Sequence, residues 1–251
     1  MTPHAVITGA GSGIGAAIAR HLAEQSVRVS LLGRRPEPLQ ALATDLGSLA
    51  LAIPADVTDP DSVEAAFLTA HEYNGGVDVL INCAGQAPSA SFQNTTAAQW
   101  QAVMATNVTG VFNCTQEALP GMLNRGWGRI VNIASTGSLK GYPYVSAYCA
   151  SKHAVLGLTR SLALEIARTG VTVNAVCPGF TDTDIIRTAI SDIVAKTGRD
   201  AAEALAHFTS TNPQGRLVQP HDIAATVGWL VSRATDSING QAIAIDGGET
   251  A

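Results

Sequence analysis

The sequence predicts an α/β protein: a doubly wound, seven-stranded parallel sheet with helices on both faces, folded as a single domain. Three observations lead to this. Short apolar runs alternate with stretches of helical periodicity along nearly the whole chain, the pattern of repeated strand–helix units. The first run, Ala5-Val6-Ile7, breaks at the glycine cluster Gly9-Ala10-Gly11-Ser12-Gly13-Ile14-Gly15, and Ile14, Ile18, Ala19 and Leu22 then recur at helical spacing. Val77 to Asn82 is almost wholly apolar, as a strand covered on both faces must be.

The other elements follow in order. Val27 to Leu32 reads as a strand and Pro38 to Leu46 as a helix; Ser48 to Ile53 is strand-like and Pro60 to Tyr73 helical. After the run at Val77, a long helix is expected from about Thr96 to Leu123 and a strand from Gly128 to Ser135. A helix from Ser146 to Arg168 leads into a strand from Val171 to Cys177. Asp222 to Leu230 is the last helix and Gln241 to Asp246 the last strand. Only Asp182 to Gln219 breaks the rhythm, with mixed polar and apolar helical segments. An insertion there stands over the carboxyl edge of the sheet, so residues 1–251 read as one domain with a substrate lid at about 182–219.

Composition narrows the class. A chain of 251 residues can bury a sizeable core, and 46% hydrophobic against 14% charged residues excludes disorder. A formal charge of −5 argues against a sequence-independent grip on nucleic-acid phosphates, which needs clustered Lys and Arg. No apolar run reaches the roughly 18 residues of a membrane span, and no basic leader precedes one. Cys83, Cys114, Cys149 and Cys177 make no CxxC pair and the histidines no HExxH pair, so no metal site is expected. Four free thiols in a reducing, cytoplasmic setting are the expectation.

The glycine cluster carries the first chemistry. Gly9 allows a sharp turn out of the strand, Gly11 or Gly13 lets backbone N–H groups approach a pyrophosphate, and Gly15 lets the helix pack close on the sheet. Alone, the match Gly11-Ser12-Gly13-Ile14-Gly15-Ala16 is weak, since a glycine-rich turn without a ligand looks the same. It follows a strand and opens a helix, the context that a Rossmann-type dinucleotide site requires. At the end of the second strand, where NAD-preferring sites carry a carboxylate for the adenosine ribose, this chain has Gly33-Arg34-Arg35. A guanidinium there can hold a 2′-phosphate bidentately, so NADP(H) is the preferred coenzyme and NAD(H) the alternative. A solvated basic turn is the plain rival role for Arg34 and Arg35.

Further motifs carry a resemblance. Thr8-Gly9-xxx-Gly13-x-Gly15, Asn82-Cys83-Ala84-Gly85, Asn107, Ser135 and Tyr148-Cys149-Ala150-Ser151-Lys152 fall in the order and spacing of the short-chain dehydrogenase/reductase family. Pro178-Gly179-Phe180-Thr181-Asp182-Thr183 and Asp246-Gly247-Gly248 agree, so the chain resembles that family over essentially its whole length. The resemblance implies an oxidoreductase that moves hydride between nicotinamide and a carbonyl or alcohol, with Asn107, Ser135, Tyr148 and Lys152 as the catalytic set. It implies cofactor contacts from Gly9, Gly11, Ser12, Gly13, Ile14 and Gly15, from Asp56 and Val57, and from Asn82, Ala84 and Gly85. Tyr148, Lys152, Pro178, Gly179, Thr181 and Thr183 complete that set. Asp56 resembles the residue on the adenine ring, with an N-cap for the helix near Pro60 as its rival role. Thr183 resembles the residue that bonds the nicotinamide carboxamide. One departure is visible: the family usually has a second Asn where this chain has Cys83, which leaves open the hydrogen bond of that amide. A homotetramer is also implied, paired through the helix around Trp100 to Leu119 and the one from Tyr148 to Leu164.

The residue types suit that chemistry. Reducing a ketone needs a proton donor to the developing alkoxide, and Tyr148 and Lys152 stand at i and i+4 on one helix face. The Lys152 ammonium, with the positive ring of an oxidised nicotinamide, is expected to lower the Tyr148 pKa from about 10. Ser135, at a strand end, can hydrogen-bond the substrate oxygen, and Asn107 would hold a water linking Lys152 to solvent. Singly, each has a plain alternative: chance spacing for Tyr148 and Lys152, a cap for Ser135, a local helix bond for Asn107.

For the substrate, Gly128 to Gly137, Ala175 to Phe180 and Asn212-Pro213-Gln214-Gly215-Arg216 are similar to branches acting on β-ketoacyl thioesters. These are 3-oxoacyl-(acyl-carrier-protein) reductases, 3-hydroxyacyl-CoA dehydrogenases and polyketide ketoreductases. The polyketide type's proline-glycine-glycine stretch is missing, and Gln86-Ala87-Pro88-Ser89 stands in its place. Three functions are weighed. One is a ketoreductase or hydroxyacyl dehydrogenase for a CoA- or carrier-protein-bound 3-oxoacyl thioester. Another is a dehydrogenase of a different secondary alcohol (sugar, steroid or aryl carbinol), NADP- or NAD-linked. The third is a non-catalytic NADP(H)-binding sensor, against which the intact set of four catalytic candidates stands.

Overall fold

Every strand of the central sheet runs in the same direction, because each is joined to the next through at least one helix. A computed structural model describes residues 3–198 and 200–251. The first half runs β1 (His4–Thr8), α1 (Gly13–Glu24), β2 (Arg28–Gly33), α2 (Pro36–Leu46), β3 (Ala50–Pro54), α3 (Pro60–Asn74) and β4 (Val79–Asn82). It continues with α4 (Ala97–Met104), α5 (Gly110–Arg125), β5 (Gly128–Ile133), α6 (Ser146–Glu165) and β6 (Val171–Pro178). The chain closes with α7 (Asp184–Thr197), α8 (Ala201–Thr209), α9 (Pro220–Leu230) and β7 (Ala242–Ile245). The strand order is β3-β2-β1-β4-β5-β6-β7, the expected seven-stranded parallel sheet. The order reverses between β1 and β4, so a crevice opens at their carboxyl ends, where ligands bind in such sheets.

Period-two alternation divides the core between the two faces of the sheet. Ala5 and Ile7 of β1, Val29 and Leu31 of β2, and Val79 and Ile81 of β4 pack with Ile18 and Leu22 of α1, Leu39 of α2 and Ile223 of α9. Val6, Leu32, Leu80 and Ile130 point the other way, onto Val63 and Phe67 of α3 and Cys114 and Met122 of α5. Both faces are therefore apolar, which explains why the strands read as unbroken apolar runs.

Most boundaries fall within two or three residues of the sequence expectation. α2 starts at Pro36 because proline suits the first helical turn, and residues 47–49 form a 3-10 turn ahead of β3. The larger difference lies in the expected single helix from about Thr96 to Leu123. It is divided by a π-helical turn, Ala105–Thr109, with Asn107 at its centre. Such turns interrupt the regular backbone ladder and occur frequently at functional sites. The segment expected as a lid holds α7 and α8; its residue 199 lies outside the described residues. Its stem is closed by backbone bonds from Val218 to Phe180 and from Asp182 to Val218, each 2.9 Å. Among the described residues no helix is long and apolar enough to cross a membrane.

Candidate active site

At the end of β1 the glycines are demanded by contact. Gly9 has φ +66°, and a Cβ on it would lie 2.9 Å from the Ala84 backbone, so the turns after β1 and β4 touch. A Cβ on Gly15 would lie 2.3 Å from the Gly9 carbonyl oxygen, which seats α1 directly on the turn. Gly13 faces the Thr183 side chain: its Cβ would stand 3.2 Å from Thr183 Cγ2. A Cβ on Gly11 would lie 3.4 Å from Pro38, and Ile14 packs against the core. Ser12 occupies the N-cap of α1 but makes no side-chain cap bond, so the first-turn N–H groups gain no acceptor from it.

Around this turn stand the groups expected on the adenosine side. Arg34 and Arg35 are exposed directly after β2, and among the described residues neither enters an ion pair. Asp56 Oδ1 accepts from the backbone N–H and the hydroxyl of Thr58, at 2.9 Å each. The N-cap of α3 is Asp59, whose carboxylate accepts from the Asp61 N–H, so the rival role for Asp56 belongs to its neighbour. Val57 is buried, and its carbonyl accepts from Asn113 at 2.9 Å.

The turn after β4 is held by a residue outside the expected site. Thr8 Oγ1 accepts from the backbone N–H groups of Cys83 and Ala84, both at 3.0 Å. The Cys83 side chain takes no part in that clamp, which is made to backbone N–H groups. Asn82 is directed inward: its amide donates to Asn132 Oδ1 at 2.9 Å and to Thr115 Oγ1 at 3.3 Å.

The catalytic candidates converge beyond β5. Ser135 Oγ accepts from the Gly137 N–H at 3.0 Å, which leaves its own hydrogen for another acceptor. Gly137 lies between Ser135 and Tyr148: a Cβ on it would lie 3.3 Å from Ser135 Oγ and 3.4 Å from the Tyr148 ring. Lys152 is buried, donates from Nζ to the Ile133 carbonyl at 2.7 Å, and stands 5.7 Å from the centre of the Tyr148 ring. Gly85 closes the other side; a Cβ there would lie 3.6 Å from Lys152 Nζ. Asn107 is fully buried. Its Nδ2 donates to the Gln86 carbonyl and to Ser151 Oγ at 3.0 Å each, while Oδ1 accepts from the Gln86 N–H at 2.9 Å. Both amide hydrogens are therefore engaged, and the side chain clamps the turn after β4 to α6.

Burial dominates the electrostatics. It pulls the Lys152 pKa down to about 8. It pushes Tyr148 up, with Ser135 acting the other way. The lowering of Tyr148 expected from Lys152 is thus not what the chain alone produces, because desolvation of the phenolate dominates. Burial also pushes the Cys83 and Cys177 thiols up to about 11, against the pull of Lys152, so neither offers a thiolate at neutral pH.

On the far side, Pro178 ends β6 and Gly179 presses on Asp246, where a Cβ would come within 3.3 Å of its Cα. Thr181 pairs with Val218, and its hydroxyl donates to the Gly179 carbonyl at 2.9 Å. Thr183 opens α7 against Gly13. Contacts of Gly9 with Ala84, Gly13 with Thr183, Gly85 with Lys152 and Gly137 with Ser135 and Tyr148 thus tie together the turns after β1, β4, β5 and β6 and the start of α6. The Asn82 side chain points inward instead, and Arg34, Arg35, Asp56 and Val57 stand on the turns after β2 and β3. Sequence reasoning did not assign roles to Thr8, Gln86 and Ser151. Thr8 and Ser151 stand inside recognised motifs and could have been found there. Gln86 bonds Asn107 through its backbone, and its side chain donates to the Ala102 carbonyl at 2.7 Å and to Thr106 Oγ1 at 3.0 Å, contacts with distant segments that leave no local signal.

Fold and site together define an oxidoreductase of the dinucleotide-binding α/β class. The short chain dehydrogenase family model matches residues 3–193. A protein of Streptomyces coelicolor named as a ketoacyl reductase is 41% identical, with 97% of this chain and 95% of that protein covered. The D-beta-hydroxybutyrate dehydrogenase of Rhizobium meliloti is 34% identical, with both chains covered in full at 100%. A crystal structure of an actinorhodin polyketide ketoreductase variant with NADPH superposes with a TM-score of 0.95 at 38% identity, covering 99% of this chain and 97% of that one. The chain belongs to the short-chain dehydrogenase/reductase family and is an oxidoreductase acting on CH–OH groups or the corresponding carbonyls.

Proposed function

We propose that this protein is an NADP(H)-dependent ketoreductase whose substrate is a 3-oxoacyl thioester, carried on CoA or a carrier protein. The observation that carries the reading is the convergence of Ser135, Tyr148 and Lys152 beside the crevice, with Lys152 tethered at 2.7 Å to the Ile133 carbonyl. Similarity to a ketoacyl reductase and to a polyketide ketoreductase supports the thioester class.

The coenzyme fits the residues present. The glycines at 9 and 15 let the turn after β1 lie close on the turn after β4 and on α1, and the α1 N-terminus has no side-chain cap. Among the described residues Arg34 and Arg35 make no ion pair at the end of β2, where a 2′-phosphate would lie. When bound, NADPH supplies the hydride. Ser135, whose hydroxyl stands beside Tyr148, orients the substrate oxygen. Tyr148, kept protonated by burial, gives its proton to that oxygen as the alkoxide develops. Lys152, with a pKa of about 8, stabilises the phenolate left behind and exchanges its own proton near neutral pH. Asn107 holds the turn after β4 against α6 and so fixes the height of Gly85 above Lys152. The segment with α7 and α8 serves as the substrate lid, closing on the stem at Thr181 and Val218.

Assembly as a homotetramer is part of this reading: Trp100, Phe112 and Leu164 expose 41%, 48% and 81% of their surface on α4, α5 and α6. Four free cysteines fit a reducing, cytoplasmic compartment. A panel measuring NADPH oxidation with acetoacetyl-CoA, simple ketones, and sugar, steroid and aryl ketones tests the substrate class. Preference for the thioester supports the reading. Preference for any of the others transfers it to a dehydrogenase of another secondary alcohol.

A further inference from the structure

Beyond β7, Glu249 carries a buried carboxylate: its side chain is 1% exposed. Oε1 accepts from the Tyr142 hydroxyl at 2.6 Å and pairs with Lys140 Nζ at 3.0 Å. The Tyr142 oxygen also lies 2.7 Å from Thr136 Oγ1, and Thr136 is the residue after Ser135. A chain of short hydrogen bonds therefore runs from Glu249 through Tyr142 to Thr136. Thr136 in turn anchors its own loop, its carbonyl accepting from the N–H groups of Leu139 at 2.9 Å and Lys140 at 3.0 Å.

Two features set this apart from a tie that only serves folding. Among the described residues Oε2 of Glu249 is buried without a hydrogen-bond partner and faces Gly179, 3.3 Å from where a Cβ there would stand, although buried acceptors are ordinarily satisfied. The Tyr142 ring, moreover, stacks edge-on to Phe180 at 5.7 Å, and Phe180 to Phe208 of α8 at 5.1 Å. The carboxylate thus touches both loops that border the reacting atoms, the one that carries Ser135 and the one that follows β6.

We propose that Glu249 is a positioning residue for carbonyl reduction, holding through Tyr142 and Thr136 the loop that presents the Ser135 hydroxyl. This rests on the reading of Ser135 as the group that orients the substrate oxygen. Tyr142 can serve as the donor throughout the working range, because burial and the adjacent carboxylate push its hydroxyl up and keep it protonated.

The test is a kinetic cycle on the full chain with NADPH and acetoacetyl-CoA, or with the fastest ketone of the panel if the thioester is not turned over. Glu249→Ala and Tyr142→Phe should each lower kcat roughly 10- to 100-fold, the scale of a misplaced reacting group, with NADPH affinity unchanged by fluorescence titration. Glu249→Gln, whose amide oxygen still accepts from Tyr142, should recover most of the rate. In a Ser135→Ala background, Tyr142→Phe should cost nothing further, because the residue it positions is gone. Losses that multiply there, or wild-type kcat in Tyr142→Phe, overturn the proposal. If Glu249→Ala fails to fold, Tyr142→Phe decides alone, since it keeps the ring and its stacking. A Ser135→Ala enzyme with full activity removes the underlying reading and the proposal with it. A slow Ser135→Ala beside a normal Tyr142→Phe removes only the proposal.

Discussion

Lys152 Nζ donates to the Ile133 carbonyl at 2.7 Å, so the cation of α6 is tethered to the last residue of β5. That bond fixes where the ammonium stands relative to Tyr148, one turn earlier on the same helix. Tyr148→Phe keeps the ring and should preserve the fold and coenzyme binding while the rate falls by at least ~10²-fold, the usual size of an acid–base contribution. Lys152→Ala should lose activity and move the pH optimum of residual alcohol oxidation upward, since the phenolate loses its neighbouring cation. Near-normal turnover in Tyr148→Phe would sink this mechanism.

Coenzyme choice is tested at the end of β2. Arg34 is exposed and makes no ion pair among the described residues, and a charge-assisted bond to a 2′-phosphate contributes about 1.5–3 kcal/mol, or roughly 10–100-fold. Arg34→Ala should raise the KM for NADPH by that factor and leave the KM for NADH nearly unchanged. Steady-state kinetics with both coenzymes decide it; equal use of the two by the unmodified enzyme would count against NADP(H).

The contact of α1 with its turn makes a stability prediction. A methyl at position 15 would stand 2.3 Å from the Gly9 carbonyl oxygen, and backbone cannot yield as a side-chain tip does. Gly15→Ala should destabilise by at least about 1–3 kcal/mol, the usual cost of overpacking, and weaken NADPH binding in parallel. Urea unfolding measures the first effect. A change within about 0.5 kcal/mol, the range of neutral surface substitutions, would contradict the geometry.

Acid stability should depend on His4. Its ring is fully buried, with one nitrogen 2.9 Å from Ser30 Oγ and the other 3.0 Å from the Gly75 carbonyl, and burial holds its pKa below the ordinary 6.5. The unfolded chain then binds the proton more readily than the folded one, so stability is complete above about pH 6.5. It declines below that, by up to about 1.4 kcal/mol per pH unit, until the folded-state pKa is reached. Unfolding free energies at pH 7.5 and 5.5 should show a smaller difference in His4→Asn than in the unmodified protein. An equal or larger difference would place the acid sensitivity elsewhere.

Several features were legible in the sequence because they are written in short-range patterns. The alternation of apolar runs with helical periods determined the parallel sheet, since which residues face a core depends on spacing along one element. The glycine turn, the arginine pair after β2 and the i, i+4 placement of Tyr148 and Lys152 each lie within one local segment. Tertiary structure decided the rest. It turned Asn82 toward Asn132, placed Asn107 in a π-turn against Gln86, and made Asp59 rather than Asp56 the cap of α3. It also set the direction of the Tyr148 shift and joined Tyr142 to Glu249, 107 residues away. The physical reason is common to all of these. Hydrogen-bond partners and desolvation depend on which distant segments pack together, and periodicity along one segment carries no record of that.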